Sequence, residues 1–211
     1  MITSDLVCQE KVVVVSGNSR SLINFRGPLL AEMARRGRKV HAVAPGLLEN
    51  SDIENQLKKM GVECHDLPLK RTKVNPLHDF RTLISLVLIF TKVKPDVFFG
   101  YTVKPVIYGS IAAFITNVPR RYLMITGLGY AFSDFSKRRR LGLRSLIRML
   151  YKISTRKATK VFFQNPDDRG VFLTLGYVVK ARNAVLVNGS GVDTRYFYDS
   201  LAPVDNISFL L

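Results

Sequence analysis

A chain of 211 residues, 47% apolar and 23% charged, can bury a core without staples, which excludes a disordered chain, a collagen and a disulfide mini-scaffold. Thirty-two Lys and Arg against 16 Asp and Glu give a formal charge of +16, so the chain is drawn to something anionic: nucleic acid, a phospholipid surface or a phosphorylated ligand. Two cysteines, Cys8 and Cys64, are too few for a secreted disulfide framework and favour a reducing compartment.

The first ten residues, MITSDLVCQE, carry two acids and no basic stretch, unlike a signal peptide. The β-branched run Lys11–Ser16 predicts a strand buried on both faces. Phe25, Leu29, Leu30, Met33 and Ala34 follow at helical spacing, and Gly37 stops that helix. Lys39–Ala44 predicts a second strand, Ser51–Met60 a polar helix and Val62–Leu67 a short strand. Pro76–Val93 is an apolar helix with Asn75 placed to cap it. Its uncharged core, Leu83–Thr91, falls short of the about 20 residues needed to cross a bilayer. Strands at Asp96–Tyr101, Arg120–Thr126, Lys160–Gln164 and Ala184–Val187 alternate with helices at Val103–Thr116, about Leu141–Lys157 and Pro166–Leu175. Repeated strand–helix–strand units predict an α/β fold, a parallel sheet covered on both faces. Leu201–Asn206 reads as a linker, and Ile207–Leu211 as the beginning of a further element.

Ligands of open α/β sheets bind beyond the carboxyl ends of the strands. Those ends carry Ser16-Gly17-Asn18-Ser19-Arg20, Gly100-Tyr101-Thr102-Val103-Lys104, Thr126-Gly127-Leu128-Gly129-Tyr130, Gln164-Asn165 and Asn188-Gly189-Ser190-Gly191. Glycine amides, hydroxyls, side-chain amides and cations on one rim suit a hydroxyl-rich, anionic ligand such as a sugar phosphate. Each loop alone is also what a strand–helix turn needs. No G-x-G-x-x-G, P-loop or G-x-S-x-G occurs. His41, His65 and His78 stand singly with no metal-site spacing, so no metal site is expected.

Between Phe135 and Pro166 lie ten basic residues and no acid. Arg138, Arg139, Arg140, Arg144, Arg148 and Lys152 are the candidate membrane-surface residues, and Leu143, Leu146, Ile147, Leu150 and Ile153 line the other side of the helix. Like charges at i, i+4 repel by a few tenths of a kcal/mol per pair, which an anionic leaflet offsets at about 1 kcal/mol per basic residue. The alternative is a solvated face above an ordinary core-facing stripe. Nucleic acid is not expected, since the chain has no tryptophan and no aromatic-studded basic strand for stacking.

The segments SGNSRSLINFRGPLLAEMARRGRKVHAVAPG (16–46), NPLHDFRTLISL (75–86), KPDVFFGYTVKPVIYGSIAA (94–113), ITGLGYAF (125–132), VFFQNPDDRGVF (161–172) and VNGSGVDTRYF (187–197) occur in this order. Together they resemble the N-terminal domain of a family 4 glycosyltransferase of the GT-B architecture, in the branch that assembles capsular, O-antigen and lipid-linked oligosaccharide precursors. The resemblance implies a Rossmann-like acceptor domain over residues 1–200, then a linker and the first strand of a missing donor domain over 201–211. It implies transfer from a nucleotide sugar, UDP-linked, with retention of configuration, to a polyprenyl-diphosphate-linked acceptor on the cytoplasmic membrane face, without metal or other cofactor. By motif position Gly17, Asn18 and Arg20 face the diphosphate and acceptor, and Tyr101, Thr102 and Lys104 lie beside the sugar. Thr126, Gly127 and Gly129 form the facing loop, and Asn188, Gly189 and Gly191 the crossing near the interdomain cleft. Tyr101 stands where other branches place a histidine, so no general base is assigned. Without its donor domain the chain is expected to be inactive alone; the alternative is a non-catalytic remnant that binds anionic lipid or nucleic acid.

Overall fold

The computed structural model describes residues 9–70, 75–127, 141–178, 180–191 and 194, of 141, 143 and 144 the backbone alone. Gly129, Arg138, Arg139, Arg140, the 201–206 linker and 207–211 lie outside that set. Seven strands form one sheet: β1 (Lys11–Val15), β2 (Lys39–Ala44), β3 (Val62–Asp66), β4 (Val97–Tyr101), β5 (Arg120–Ile125), β6 (Lys160–Phe163) and β7 (Ala184–Leu186). Their order is β3-β2-β1-β4-β5-β6-β7 and every pairing is parallel. This is the expected Rossmann-like sheet. Strand order reverses between β1 and β4, where Val12 pairs with Val97 and Val15 with Gly100.

Period-two alternation in β1 feeds both faces. Val12 and Val14 join the core under α1 (Ser19–Asn24), α2 (Gly27–Arg35) and α3 (Ser51–Lys59), with Leu22, Leu30, Ile53 and Leu57. Val13 and Val15 join the opposite core under α4 (Pro76–Val93), α5 (Val103–Ile115), α6 (Leu141–Arg156) and α7 (Pro166–Thr174), with Leu86, Phe90, Val106, Tyr151 and Phe172. Buried valines on both faces of a central strand are what a doubly covered parallel sheet requires.

The bounds of β2 and α4 match the sequence reading, and Asn75 caps α4 by accepting from the Leu77 N–H. The first helical segment differs. It breaks at Phe25-Arg26 into α1 and α2, because Gly-Pro restarts the helix, and this turns Phe25 and Leu29 out to solvent. Leu22 and Leu30 are its buried anchors instead.

Phe98 explains why β4 and α5 carry small residues. A Cβ on Gly100 would stand 2.5 Å from its ring, and one on Gly109 would stand 2.4 Å from it. The ring fills the space both glycines leave, so α5 lies close against the strand whose end forms the rim.

Candidate functional site

The loops after β1 and β4 flank the reversal of strand order, where a crevice forms in such sheets. They close on each other: a Cβ on Gly17 would lie 2.8 Å from Thr102 Oγ1. Gly17 thus has a packing reason to lack a side chain, beside the backbone approach to an anion expected of it. Asn18 spends its side chain on the N-cap of α1, accepting from the Arg20 N–H at 2.9 Å, while the Arg20 side chain is exposed. Behind them Ser16 Oγ and Ser21 Oγ lie 2.7 Å apart, and both donate to the Asn18 carbonyl.

Tyr101 belongs to this hydroxyl knot. Its hydroxyl lies 2.9 Å from Ser21 Oγ, the residue is 2% exposed, and burial holds its phenol pKa up. It braces the rim from below rather than facing solvent. Thr102 is the half-exposed neighbour, held at φ 68 without a side-chain cap on α5. A β-branched residue in that region marks stored backbone strain. Lys104 turns to α4, where its Nζ donates to Asp79 Oδ1 at 2.6 Å with both side chains largely buried. That ion pair fastens α5 to α4, and burial together with Asp79 pushes the nearby Tyr108 phenol up.

Across the rim Thr126 and Asn188 are exposed, and Gly189 and Gly191 both sit at φ +75 with open space where a Cβ would be. These glycines serve backbone conformation, not close approach. Asn165 caps α7, accepting from the Asp168 N–H at 2.7 Å, and Gln164 Nε2 donates to Ser190 Oγ at 3.0 Å.

One residue that sequence reasoning missed ties these loops together. Arg26 is 3% exposed; its Nη1 donates to Phe25 O and to Ser190 Oγ, both at 2.9 Å, and its guanidinium stacks 4.9 Å from the Tyr101 ring centroid. Its signal in the sequence is position: arginine occupies the N-cap of α2, where Ser, Thr, Asp or Asn is usual.

The strands also join His41 to Glu63 and His65. One ligand atom from each lies within 4.8 Å of the others, so the three could hold a metal ion. Parallel pairing of β2 with β3 makes this group, and the single histidines gave no sign of it. It lies on the α4 side of the sheet edge, away from the crevice. Its members are already engaged: His41 Nδ1 with His65 Nε2 at 3.0 Å, and Glu63 with Lys39 Nζ at 2.9 Å. Burial above all pulls the His41 pKa down to about 4.

On α6 the apolar stripe is split. Ile147 and Leu150 pack on the core, whereas Leu146 and Ile153 face solvent with Met149, beside exposed Arg148, Lys152 and Arg156. The expectation that Leu146 and Ile153 lie opposite the basic face therefore fails, because Tyr151, Ser154 and Thr155 take the buried side of the last turns. A groove of about 350 Å³ between α5 and α6 is floored by Ile111, Phe114 and Ile153 and edged by Arg121, Arg156 and Lys157.

Residues 13–165 match the family model for "Glycosyl transferase 4-like". Over 188 residues the chain is 21% identical to the N,N'-diacetylbacillosaminyl-diphospho-undecaprenol alpha-1,3-N-acetylgalactosaminyltransferase of Campylobacter jejuni, covering 89% of this chain and 48% of that protein. Over 110 residues it is 30% identical to the capsular polysaccharide biosynthesis glycosyltransferase CapM of Staphylococcus aureus, covering 52% and 27%. Among solved structures a glycosyltransferase from Rickettsia africae superposes with a TM-score of 0.60 at 15% identity, over 90% of this chain and 45% of that one, a likeness of fold. The chain spans less than half the length of each of the three.

Proposed function

Because the chain belongs to the glycosyl transferase 4-like family, we propose that it supplies the acceptor-binding half of a retaining glycosyltransferase. The donor is a nucleotide sugar, UDP-linked, and the acceptor a sugar carried on a polyprenyl diphosphate. The diphospho-undecaprenol substrate in the name of the C. jejuni relative supports that acceptor. The observation that carries the reading is the closure of the β1 and β4 loops at the reversal of strand order, with Thr102 strained and half-exposed above buried Tyr101. Here Thr102 and the backbone at Gly17 and Asn18 meet the acceptor. Tyr101 and the serine hydroxyls fix that backbone, and Gly189–Gly191 forms the far wall. Buried and held protonated, Tyr101 acts as a strut and not as a base.

The enzyme works on the inner face of the membrane. Among the described residues no helix is long and apolar enough to cross one. The side of the sheet that carries α4 and α6 instead shows exposed Leu77, Phe80, Ile84 and Leu88 on α4 beside the mixed apolar and basic surface of α6. That combination suits shallow docking on anionic lipid.

The test is to titrate the chain with a short-chain polyprenyl-diphospho-sugar, and to assay it for transfer from a panel of UDP-sugars. Binding without transfer is expected. Absence of binding would overturn the acceptor reading, and transfer by these 211 residues alone would overturn the assignment to half of a site.

A further inference from the structure

Arg26 is a charged group enclosed by protein, and among the described residues nothing negative faces it. Its two oxygen acceptors, Phe25 O and Ser190 Oγ, are neutral, and both sit on Nη1. Among the described residues Nη2 meets only the thioether Met124 Sδ, a weak acceptor, and buried Nε has no partner. This Nε–Nη2 edge is the fork with which Arg35 grips the Glu32 carboxylate through two bonds of 2.7 Å. The protein therefore shows on its surface what the edge binds, and leaves the buried copy without it. Arg26 also opens α2, which has no side-chain cap and no acid in its first turn, so the helix adds positive potential rather than relieving it. Burial pulls the guanidinium pKa down, and the Tyr101 phenol is the opposing influence.

The surroundings place the unmet edge at the carboxyl rim. Tyr101 ends β4, Met124 lies near the end of β5, and Ser190, held also by Gln164, follows β7. Its cover can move. Met124 is an unbranched side chain, and Ser190 sits between two glycines at positive φ.

We propose that the Nε–Nη2 edge of Arg26 is the seat of a phosphoryl group from the diphosphate of the ligand, one oxygen of which takes the place of the Met124 sulfur. This rests on the reading of the rim as a diphosphate-bearing substrate site, and it deepens that reading by naming the cation. Arg26 then couples binding to loop position, since the same guanidinium holds Ser190 on its other side. Bidentate phosphate recognition by arginine is geometric as well as electrostatic, so lysine does not replace it.

The probe is inorganic pyrophosphate, with farnesyl diphosphate and UDP as further arms. Calorimetry of wild type, Arg26→Met and Arg26→Lys is compared with the exposed control Arg35→Met. Arg26→Met is expected to weaken pyrophosphate binding roughly tenfold to a hundredfold while its thermal midpoint stays at or above that of wild type. Arg26→Lys is expected to recover only part of the affinity, and Arg35→Met to bind as wild type does. In wild type, the Arg26 Nε–H resonance, assigned by its absence in Arg26→Lys, is expected to shift and saturate with pyrophosphate. Tighter binding of farnesyl diphosphate than of UDP assigns the seat to the acceptor, and the reverse order to the donor. Wild type that fails to bind pyrophosphate, equal binding by Arg26→Met, a midpoint lowered by several degrees in that variant, or an unmoved Nε–H resonance would each overturn the proposal. Pyrophosphate binding through Arg26 without affinity for a polyprenyl-diphospho-sugar would leave the seat standing and overturn the acceptor reading alone.

Discussion

Thr102 holds a β-branched side chain at φ 68, a backbone state that costs roughly 1–3 kcal/mol. Glycine adopts it freely, so Thr102→Gly should gain about 1 kcal/mol of stability while weakening acceptor binding. Urea denaturation of both proteins checks this; a less stable variant would mean that threonine contacts with the Gly17 turn outweigh the strain. His41 gives a second residue-scale outcome. Its folded pKa, about 4 against the ordinary histidine value of about 6.5, means that between those pH values the unfolded chain takes up a proton the folded chain refuses. Stability should be full above about pH 6.5 and fall as pH drops toward 4, by about 3 kcal/mol at most from this group. The His65 pKa is shifted the same way by burial. Thermal midpoints between pH 7 and pH 4.5 should show a shallower fall in His41→Gln, and identical slopes would refute the assignment. At this scale the sequence was legible where chemistry is local. Asn75 reads as a cap because it precedes proline and an apolar run. Arg26 beside Ser190, Lys104 on Asp79 and His41 on His65 join residues far apart in the chain, so no local pattern announces them.

Elements were read well where one period dominates. β2 and α4 have the expected bounds because Gly37 and Pro45-Gly46 bracket the strand, and Asn75-Pro76 opens an 18-residue, largely apolar helix. The break between α1 and α2 was missed because the apolar spacing runs on through Gly27-Pro28, and only the turn geometry separates the two faces. The α6 stripe was misdivided for a related reason. Spacing says which residues share a face, and packing on α5 decides which face is buried. The small residues of α5 were legible as a pattern, and their cause is the Phe98 ring. Gly109→Ala would drive a methyl to 2.4 Å from that fully buried ring, an overpacking that should cost about 1–3 kcal/mol. A denaturation midpoint within error of wild type would show that Phe98 can turn aside cheaply.

For the molecule as a whole, the charge of +16 acts with the exposed apolar residues of α4 and α6. On the proposed membrane reading, Coulomb attraction, screened over about 8–10 Å at physiological salt, would bring the protein to an anionic leaflet, and apolar burial at roughly 25 cal/mol per Å² would retain it. Two variants separate the contributions in vesicle sedimentation. Arg148/Lys152/Arg156→Glu should lose binding to anionic vesicles, and Leu146/Met149/Ile153→Ser should keep weak binding that disappears as salt rises. Equal binding by wild type to neutral and anionic vesicles would sink this account.

The strand order also bears on how the protein is made. β1 lies inside the sheet between β2 and β4, yet Asp96, whose carboxylate accepts from the Lys11 N–H, comes 85 residues later. At about 5–20 residues per second of synthesis, the valine-rich edge of β1 emerges from the ribosome several seconds before β4 can cover it. During that interval the side of β1 that β4 pairs with in the finished sheet has no partner strand, and any strand it forms early would present an open hydrogen-bonding edge. Translation pace through α4, and chaperone capture while that edge is bare, should therefore set the yield of folded protein more than the stability of the finished sheet does.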